Sequence, residues 1–355
     1  MRRFVLFAIA AAMTLCLAAD RDWAQNNEVN VQFHTFEDTR SATILSPTVD
    51  LEKDFTDRTS LRVNFGVDLI SAASDSCARC HRNGVSSSHE SGGLSVTEKF
   101  GDLKVTAGGA YSQETFYRAT TALGSVTRNF ANGNTTVAGG YSFSLNRPEL
   151  HPLRESRNQY ASDAYGSITQ TLTRTTIGQV GYELAHVSGY LDNPFLRADV
   201  NGVMMVGHVP DARTRQTISV RLRQALPADT FLEADYRRYF DDWQIRSNAV
   251  NLGVTHHFTP VLSGSASYRW YDQSGAYFFQ PLYAGPVPQF FTGDFRLEPF
   301  TSSLYTGKVL ITPPGRILSL PHGSGLTLQY DRYVADNGFQ AAIFSAGIRL
   351  PLGAK

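Results

Sequence analysis

Apolar and polar residues alternate with a period of two along most of the chain, the spacing of a strand that shows one face to an apolar medium. The alternation is clearest over Thr217–Phe240. Ile218, Val220 and Leu222 alternate with Thr217, Ser219, Arg221 and Arg223; beyond a Pro227-Ala228-Asp229 turn, Leu232, Ala234 and Tyr236 alternate with Glu233, Asp235 and Arg237. Pairing Leu226 with Thr230 sets Arg223 opposite Glu233, Arg221 opposite Asp235 and Val220 opposite Tyr236. One face of this hairpin is then apolar, and the other is a ladder of matched charges. A second hairpin repeats the arrangement: Val49, Leu51 and Phe55 meet Leu61, Val63, Phe65, Val67 and Leu69, while Asp50, Glu52, Asp54, Arg62, Asn64 and Asp68 face the other way.

A soluble protein would need a second apolar layer to cover each of these faces, and no helix-period segment supplies one. Lipid can cover them instead. The pattern therefore predicts an all-β chain: a transmembrane, antiparallel, up-and-down β-barrel of about 16 strands over residues 26–355. Turns at Thr56–Thr59, Gly101-Asp102, Ala131–Asn134, Thr173-Arg174, Pro227–Asp229, Thr259-Pro260 and Pro313–Gly323 define one end. Longer connections at Ala73–Gly93, Arg147–Asn158, Asp192–Ala212 and Ser274–Glu298 define the other. By the usual asymmetry of such barrels, the first set is periplasmic and the second extracellular.

Hydropathy and composition agree with a barrel. Beyond the N-terminus no stretch approaches the 18 apolar residues of a spanning helix, and mean hydropathy is −0.22. The 22 Phe, 16 Tyr and 3 Trp suit aromatic girdles at the two membrane interfaces. Charge is balanced at 32 basic and 32 acidic residues with no basic cluster, so nucleic acid is not an expected partner. Arg2 and Arg3, the apolar run Phe4–Leu17 and the small residues Ala18 and Ala19 read as a secretory signal over residues 1–19, with cleavage extending to residue 24 as the alternative. Export and strand pattern together place the chain in the bacterial outer membrane, with the lipid bilayer as its first partner.

Outward-running strands end in similar words: Tyr236-Arg237-Arg238-Tyr239-Phe240-Asp241, Tyr268-Arg269-Trp270-Tyr271-Asp272 and Tyr330-Asp331-Arg332-Tyr333. These predict an outer aromatic belt with Arg and Asp at the water boundary. The run Tyr236–Trp243, the run Tyr268–Gln273 and the early stretch Val67–Ser74 resemble a bacterial family of predicted outer-membrane β-barrels of unassigned function. That resemblance implies a barrel and no chemistry. The ending Ile348-Arg349-Leu350-Pro351-Leu352-Gly353-Ala354-Lys355 departs from the usual barrel terminus, because it lacks a terminal aromatic.

One motif carries chemistry. Cys77-Ala78-Arg79-Cys80-His81 has the spacing of covalent c-type haem attachment, in which two thiols form thioethers and the adjacent His takes the iron. Of the 3 cysteines Cys16 lies in the signal, so no second pair exists to complete a zinc site; a Cys77–Cys80 disulfide is the other reading. The motif falls in a predicted haem-binding loop over residues 73–93, after strands starting near Val29, Ile44 and Ser60. Three crossings from the periplasm would put that loop outside the cell. His81 is the expected proximal ligand. His89, beyond the flexible-looking Ser86-Ser87-Ser88, is the expected second ligand, ahead of Met204, Met205, His208, His151 and His186. Two strong axial ligands make an electron carrier, and no acid/base pair accompanies the motif, so the expected role is electron transfer at the cell surface without enzymatic turnover. The expected cofactor is one covalent haem c, and the expected partners are periplasmic or extracellular cytochromes. A passive porin or structural barrel is the alternative. The layout is reminiscent of the fused cytochrome-porins of iron-oxidising bacteria, although in those the haem segment precedes the barrel.

Overall fold

The computed structural model describes residues 27–40, 42–72, 85–150, 155–193, 196–313, 321 and 323–352. Sixteen long strands form the wall. The first eight are β1 (Glu28–Asp38), β2 (Ala42–Asp54), β3 (Thr59–Ala72), β4 (Val85–Phe100), β5 (Leu103–Glu114), β6 (Tyr117–Phe130), β7 (Thr135–Leu150) and β8 (Gln159–Thr171). The second eight are β9 (Thr176–Gly189), β10 (Ala212–Leu226), β11 (Thr230–Asp241), β12 (Arg246–His257), β13 (Leu262–Gln273), β14 (Phe300–Ile311), β15 (Gly325–Ala335) and β16 (Gln340–Pro351). Each pairs antiparallel with the next, and β1 pairs with β16 from Glu28↔Pro351 to Asp38↔Ala341, which closes the sheet. Closure leaves no edge, so the backbone hydrogen bonds of the wall are met within it, as a hydrocarbon environment demands. The last strand ends at Pro351 against Glu28, without a terminal aromatic.

The registers read from the alternation hold. Arg223 lies opposite Glu233, Arg221 opposite Asp235 and Val220 opposite Tyr236, around the turn that joins Leu226 to Thr230. In the β2–β3 hairpin Val49 meets Phe65 and Leu51 meets Val63, with Asp50 opposite Asn64 and Glu52 opposite Arg62. The apolar set points outward: Leu94, Val180 and Leu252 are each more than half exposed on the bare barrel. An apolar belt of this extent marks a surface that meets lipid. Strands of 11 to 16 residues suffice, since about 12 residues at roughly 3.3 Å each, tilted by about 40°, cover the ~30 Å of a hydrocarbon core. Among the described residues no helix is long and apolar enough to cross a membrane; the chain crosses with strands.

The wall encloses side chains rather than a core. Among the described residues, two clusters of buried apolar residues lie at the long-connection end, in segments 190–211 and 274–299 and in the β11–β12 connection that carries Trp243 and Ile245. Val209, Trp243, Ile245, Ala276, Phe278 and Leu297 form the larger cluster; Ala198, Val200, Tyr283 and Phe291 form the smaller, with Met205 packed against it. A small hairpin, Arg197–Val200 with Val203–Val206, belongs to this cap. His208 and Phe291 exchange both backbone hydrogen bonds, at 2.9 and 2.8 Å, stitching the two segments together. Gly293 is needed there: a Cβ at this position would stand 2.0 Å from the Arg197 carbonyl oxygen. The longer connections expected at 192–212 and 274–298 thus pack together in their described residues.

Candidate functional site

Cys77, Cys80 and His81 lie outside the described residues, as does the predicted signal. His89 is described, and its place differs from expectation. The connection predicted at 73–93 is shorter at its C-terminal side, because residues 85–93 belong to β4 and pair with β3 through Ala72↔Val85, Ile70↔Ser87 and Asp68↔His89. Serines signal a turn only where the backbone lacks another partner. Here β3 supplies the ladder, and Ser87 sits 3.0 Å from Thr115 across the strands.

Strand position fixes where His89 points. It shares a face with Ser91, Gly93 and Ser95, which pair with Gly66, Asn64 and Arg62 on the polar face of β3, so His89 faces the lumen near the long-connection end. Its Nδ1 lies 3.0 Å from Asp68 Oδ2, with the two side chains 30% and 38% exposed. A carboxylate accepts, so Nδ1 carries the proton and Nε2 keeps a free lone pair in the neutral ring. This is the arrangement in which imidazoles ligate metals, the second nitrogen being held by a carboxylate. His89 therefore fits an iron-ligand role in its donor chemistry, with Asp68 orienting the ring.

The other ligand candidates are dispersed. Met205 packs into the cap and Met204 is exposed on the hairpin. His208 also belongs to the cap, with Nδ1 3.5 Å from Asp192 and its ring 5.6 Å from Phe290. That unit is anchored between β9 and β10 and between β13 and β14, across the barrel from β3 and β4. His186 shares the outward face with Val180, Tyr182 and Leu184, and hydrogen-bonds Thr214 at 3.0 Å. His151 is outside the described residues.

The aromatic words at the strand ends divide. Tyr236, Tyr268, Trp270 and Tyr330 face outward as a belt, exposed on the bare barrel. Tyr239 and Tyr271, at odd positions in the same words, face inward and line a cavity of ≈ 750 Å³ beneath the cap. The correction follows from the period of two, because a contiguous motif must split between the two faces of a strand.

Inward-facing charge is unevenly distributed around the wall. On β1–β3, Glu28, Asp50 and Glu52 line a second cavity that holds one guanidinium, Arg62, bound to Asp50 through Nε and Nη2 at 2.8 to 3.1 Å. On β10–β13 the balance is basic. Arg213 is tied to the fully buried carboxylate of Asp241 at 2.6 Å; that carboxylate also accepts from the Tyr239 hydroxyl at 2.6 Å and the Ile245 amide at 2.8 Å. Arg223 is paired with Glu233 at 2.8 Å, and Arg221 with Asp235. In the cap Asp294 holds Arg296 at 2.6 and 2.8 Å; this hydrogen bonding keeps the guanidinium pKa above its usual value against the effect of burial. Arg215, Arg237 and Arg269 also line the cavity under the cap, and the sequence pattern alone singles out neither Arg215 nor any enclosed basic site. The available signal is the placement of these arginines at odd positions of neighbouring strands.

Closed strand order, outward apolar belt and polar interior define a transmembrane β-barrel of the outer-membrane type. The family described as "Protein of unknown function (DUF3570)" matches residues 151–312, the part of the chain that carries the cap and the basic wall. Among solved structures, Pseudomonas aeruginosa OccK5 (OpdH) is similar with a TM-score of 0.49 at 9% identity, covering 93% of this chain and 99% of that one. OccK1 (OpdK) of the same organism gives a TM-score of 0.46 at 8% identity, with 93% and 100% covered. A point mutant of its ferric enterobactin receptor PfeA gives 0.45 at 13% identity, with 88% and 54% covered. No curated protein sequence matches the chain.

Proposed function

We propose that this chain is an outer-membrane barrel that carries one covalent c-type haem between β3 and β4 and takes part in electron transfer at the cell surface. The motif Cys77-Ala78-Arg79-Cys80-His81 motivates the cofactor. The structural observation in its support is the His89–Asp68 pair, 3.0 Å apart on the lumenal face of the two strands that flank the motif. Bound at such a site, a haem supplies a one-electron iron couple whose potential is set by axial ligands and burial. Cys77 and Cys80 would hold the porphyrin, and His81 and His89 Nε2 would bind its iron. Asp68 would keep the His89 ring oriented and its Nδ1 protonated. With His89 facing the lumen, a haem bound through it would lie toward the barrel mouth. One haem does not bridge ~30 Å of hydrocarbon, so periplasmic or extracellular cytochromes are the proposed partners.

Replacing His89 by Ala tests the ligand set: the thioethers should survive while the low-spin spectrum of the wild type turns high-spin or shifts. An unchanged low-spin spectrum would remove His89 from the site. A second reading, a porin without redox role, is favoured by the polar cavities of the lumen; absence of haem stain after denaturing electrophoresis would select it.

A further inference from the structure

We infer that the basic wall beneath the cap is a binding site for a small organic anion carrying two negative charges on carboxylate or phosphate groups. The site is independent of the haem: it lies on β10–β13, across the barrel from β3 and β4. The chain neutralises Arg213, Arg221, Arg223 and Arg296 with carboxylates at hydrogen-bonding distance. It does not do so for the three arginines that share the ≈ 750 Å³ cavity with them or beside them. The Arg215 Nε is shut off from solvent and has no hydrogen-bond partner. Arg269, flanked by Asn251 and Leu304, has no ion pair or hydrogen bond among the described residues. The carboxylate near Arg237 is Glu183, at 3.9 Å and with both side chains about half exposed, too long for a hydrogen bond.

Arg215, Arg237 and Arg269 border the cavity without a hydrogen-bonded carboxylate among the described residues, so an oxyanion there would meet their cavity-facing guanidinium donors, the enclosed Arg215 Nε not being one of them. The planar fork of arginine matches the two oxygens of a carboxylate or phosphate. Two phenol hydroxyls at the cavity are already committed: Tyr239 donates to Asp241 at 2.6 Å and Tyr271 to Gln273 at 2.6 Å. The guanidinium groups are the charged donors that remain, so charge selects the ligand. The cavity volume is that of a small-molecule site, larger than a bare ion requires. Cap residues Leu191, Val209, Trp243 and Leu297 line it from the other side and supply an apolar surface for the carbon frame of the ligand.

Calorimetric titration of the purified full-length barrel in detergent at low ionic strength, with succinate and with glycerol phosphate as probes, tests the proposal. Saturable binding of at least one probe is expected, and which of them binds identifies the carboxylate or the phosphate as the recognised group. Arg269→Gln and Arg215→Gln should each weaken it roughly tenfold or more, the loss expected for a charge-assisted hydrogen bond. Arg223→Gln, outside the cavity, should leave it unchanged. Heat-dependent electrophoretic migration establishes that each variant is folded; should Arg215→Gln fail, Arg269→Gln and Arg269→Lys carry the comparison. Absence of binding to both probes, or equal affinity in the wild type and a folded Arg269→Gln variant, would overturn the site.

Discussion

Removing the Tyr283 hydroxyl should loosen the cap without disturbing the barrel. Tyr283 is 2% exposed, at the centre of the smaller apolar cluster. Its hydroxyl oxygen accepts from the Gln280 amide at 3.1 Å and the Thr292 amide at 2.9 Å, and its single proton is shared between the Phe278 and Thr292 carbonyls at 2.9 and 3.1 Å. Tyr283→Phe keeps the ring and its packing, but leaves two amides and a carbonyl without partners. Each orphaned buried group costs about 1–3 kcal/mol, and neighbours are not fully additive, so a total of about 2–4 kcal/mol is expected. At about 1.4 kcal/mol per factor of ten, local opening should rise roughly 30- to 1,000-fold. Amide hydrogen exchange over residues 197–209 and 276–297 reads this directly, with the wall amides of β5–β7 as the internal reference. Exchange in the cap that stays within about twofold of wild type would refute the view that these segments form a cooperatively packed unit.

Cysteines placed at Val220 and Leu222 should react with a lipid-confined reagent and resist a water-soluble one, whereas Arg221→Cys should do the reverse; the opposite labelling would overturn the assigned faces. Gly293→Ala forces a backbone separation where a Cβ would meet the Arg197 carbonyl at 2.0 Å, and should expose the cap to limited proteolysis while the barrel still migrates as a folded species; a protected cap would count against the close approach. Burial, with a smaller contribution from the Asp192 carboxylate, pushes the Tyr190 phenol up to about 12. Since the folded state holds this proton more tightly than the unfolded chain does, the associated stability is complete below about pH 10 and is lost as pH rises toward 12. Cap exchange or proteolysis should therefore accelerate across that window, and Tyr190→Phe should flatten the dependence; an identical alkaline profile in that variant would contradict the assignment.

The barrel is legible in the sequence because one period governs it. Every second residue of a wall strand meets lipid, so Ile218, Val220 and Leu222 declare their face without knowledge of any partner, and the matched charges of Arg221, Arg223, Glu233 and Asp235 fix the register. The same rule, applied to the aromatic words, separates Tyr236 from Tyr239. The cap is not legible in this way. Its packing joins residues far apart in sequence, as when Tyr283 bonds the backbone around Phe278 and Thr292 while Val200 lies beside it. The segment rich in aromatics from Tyr277 to Phe291 carries a signal of burial but no period. His89 reads as a loop residue when local serine content is weighed without the β3 ladder that straightens it. Arginines without ion pairs are likewise a property of the assembled wall: Arg215 stands opposite Asp241 as Arg223 stands opposite Glu233, yet the Asp241 carboxylate is taken by Arg213 and only Arg223 pairs across the strands.

The central claim, a barrel that carries its own redox group, is tested most directly by intact mass spectrometry of the mature protein purified from outer membranes of cells with a haem-maturation system. The account predicts a mass above that of the processed polypeptide by one haem, with the addition mapped to the peptide containing Cys77 and Cys80 and abolished in a Cys77→Ser, Cys80→Ser variant that still folds as a barrel. A mass equal to that of the bare polypeptide, or two hydrogens below it as a Cys77–Cys80 disulfide requires, would contradict it.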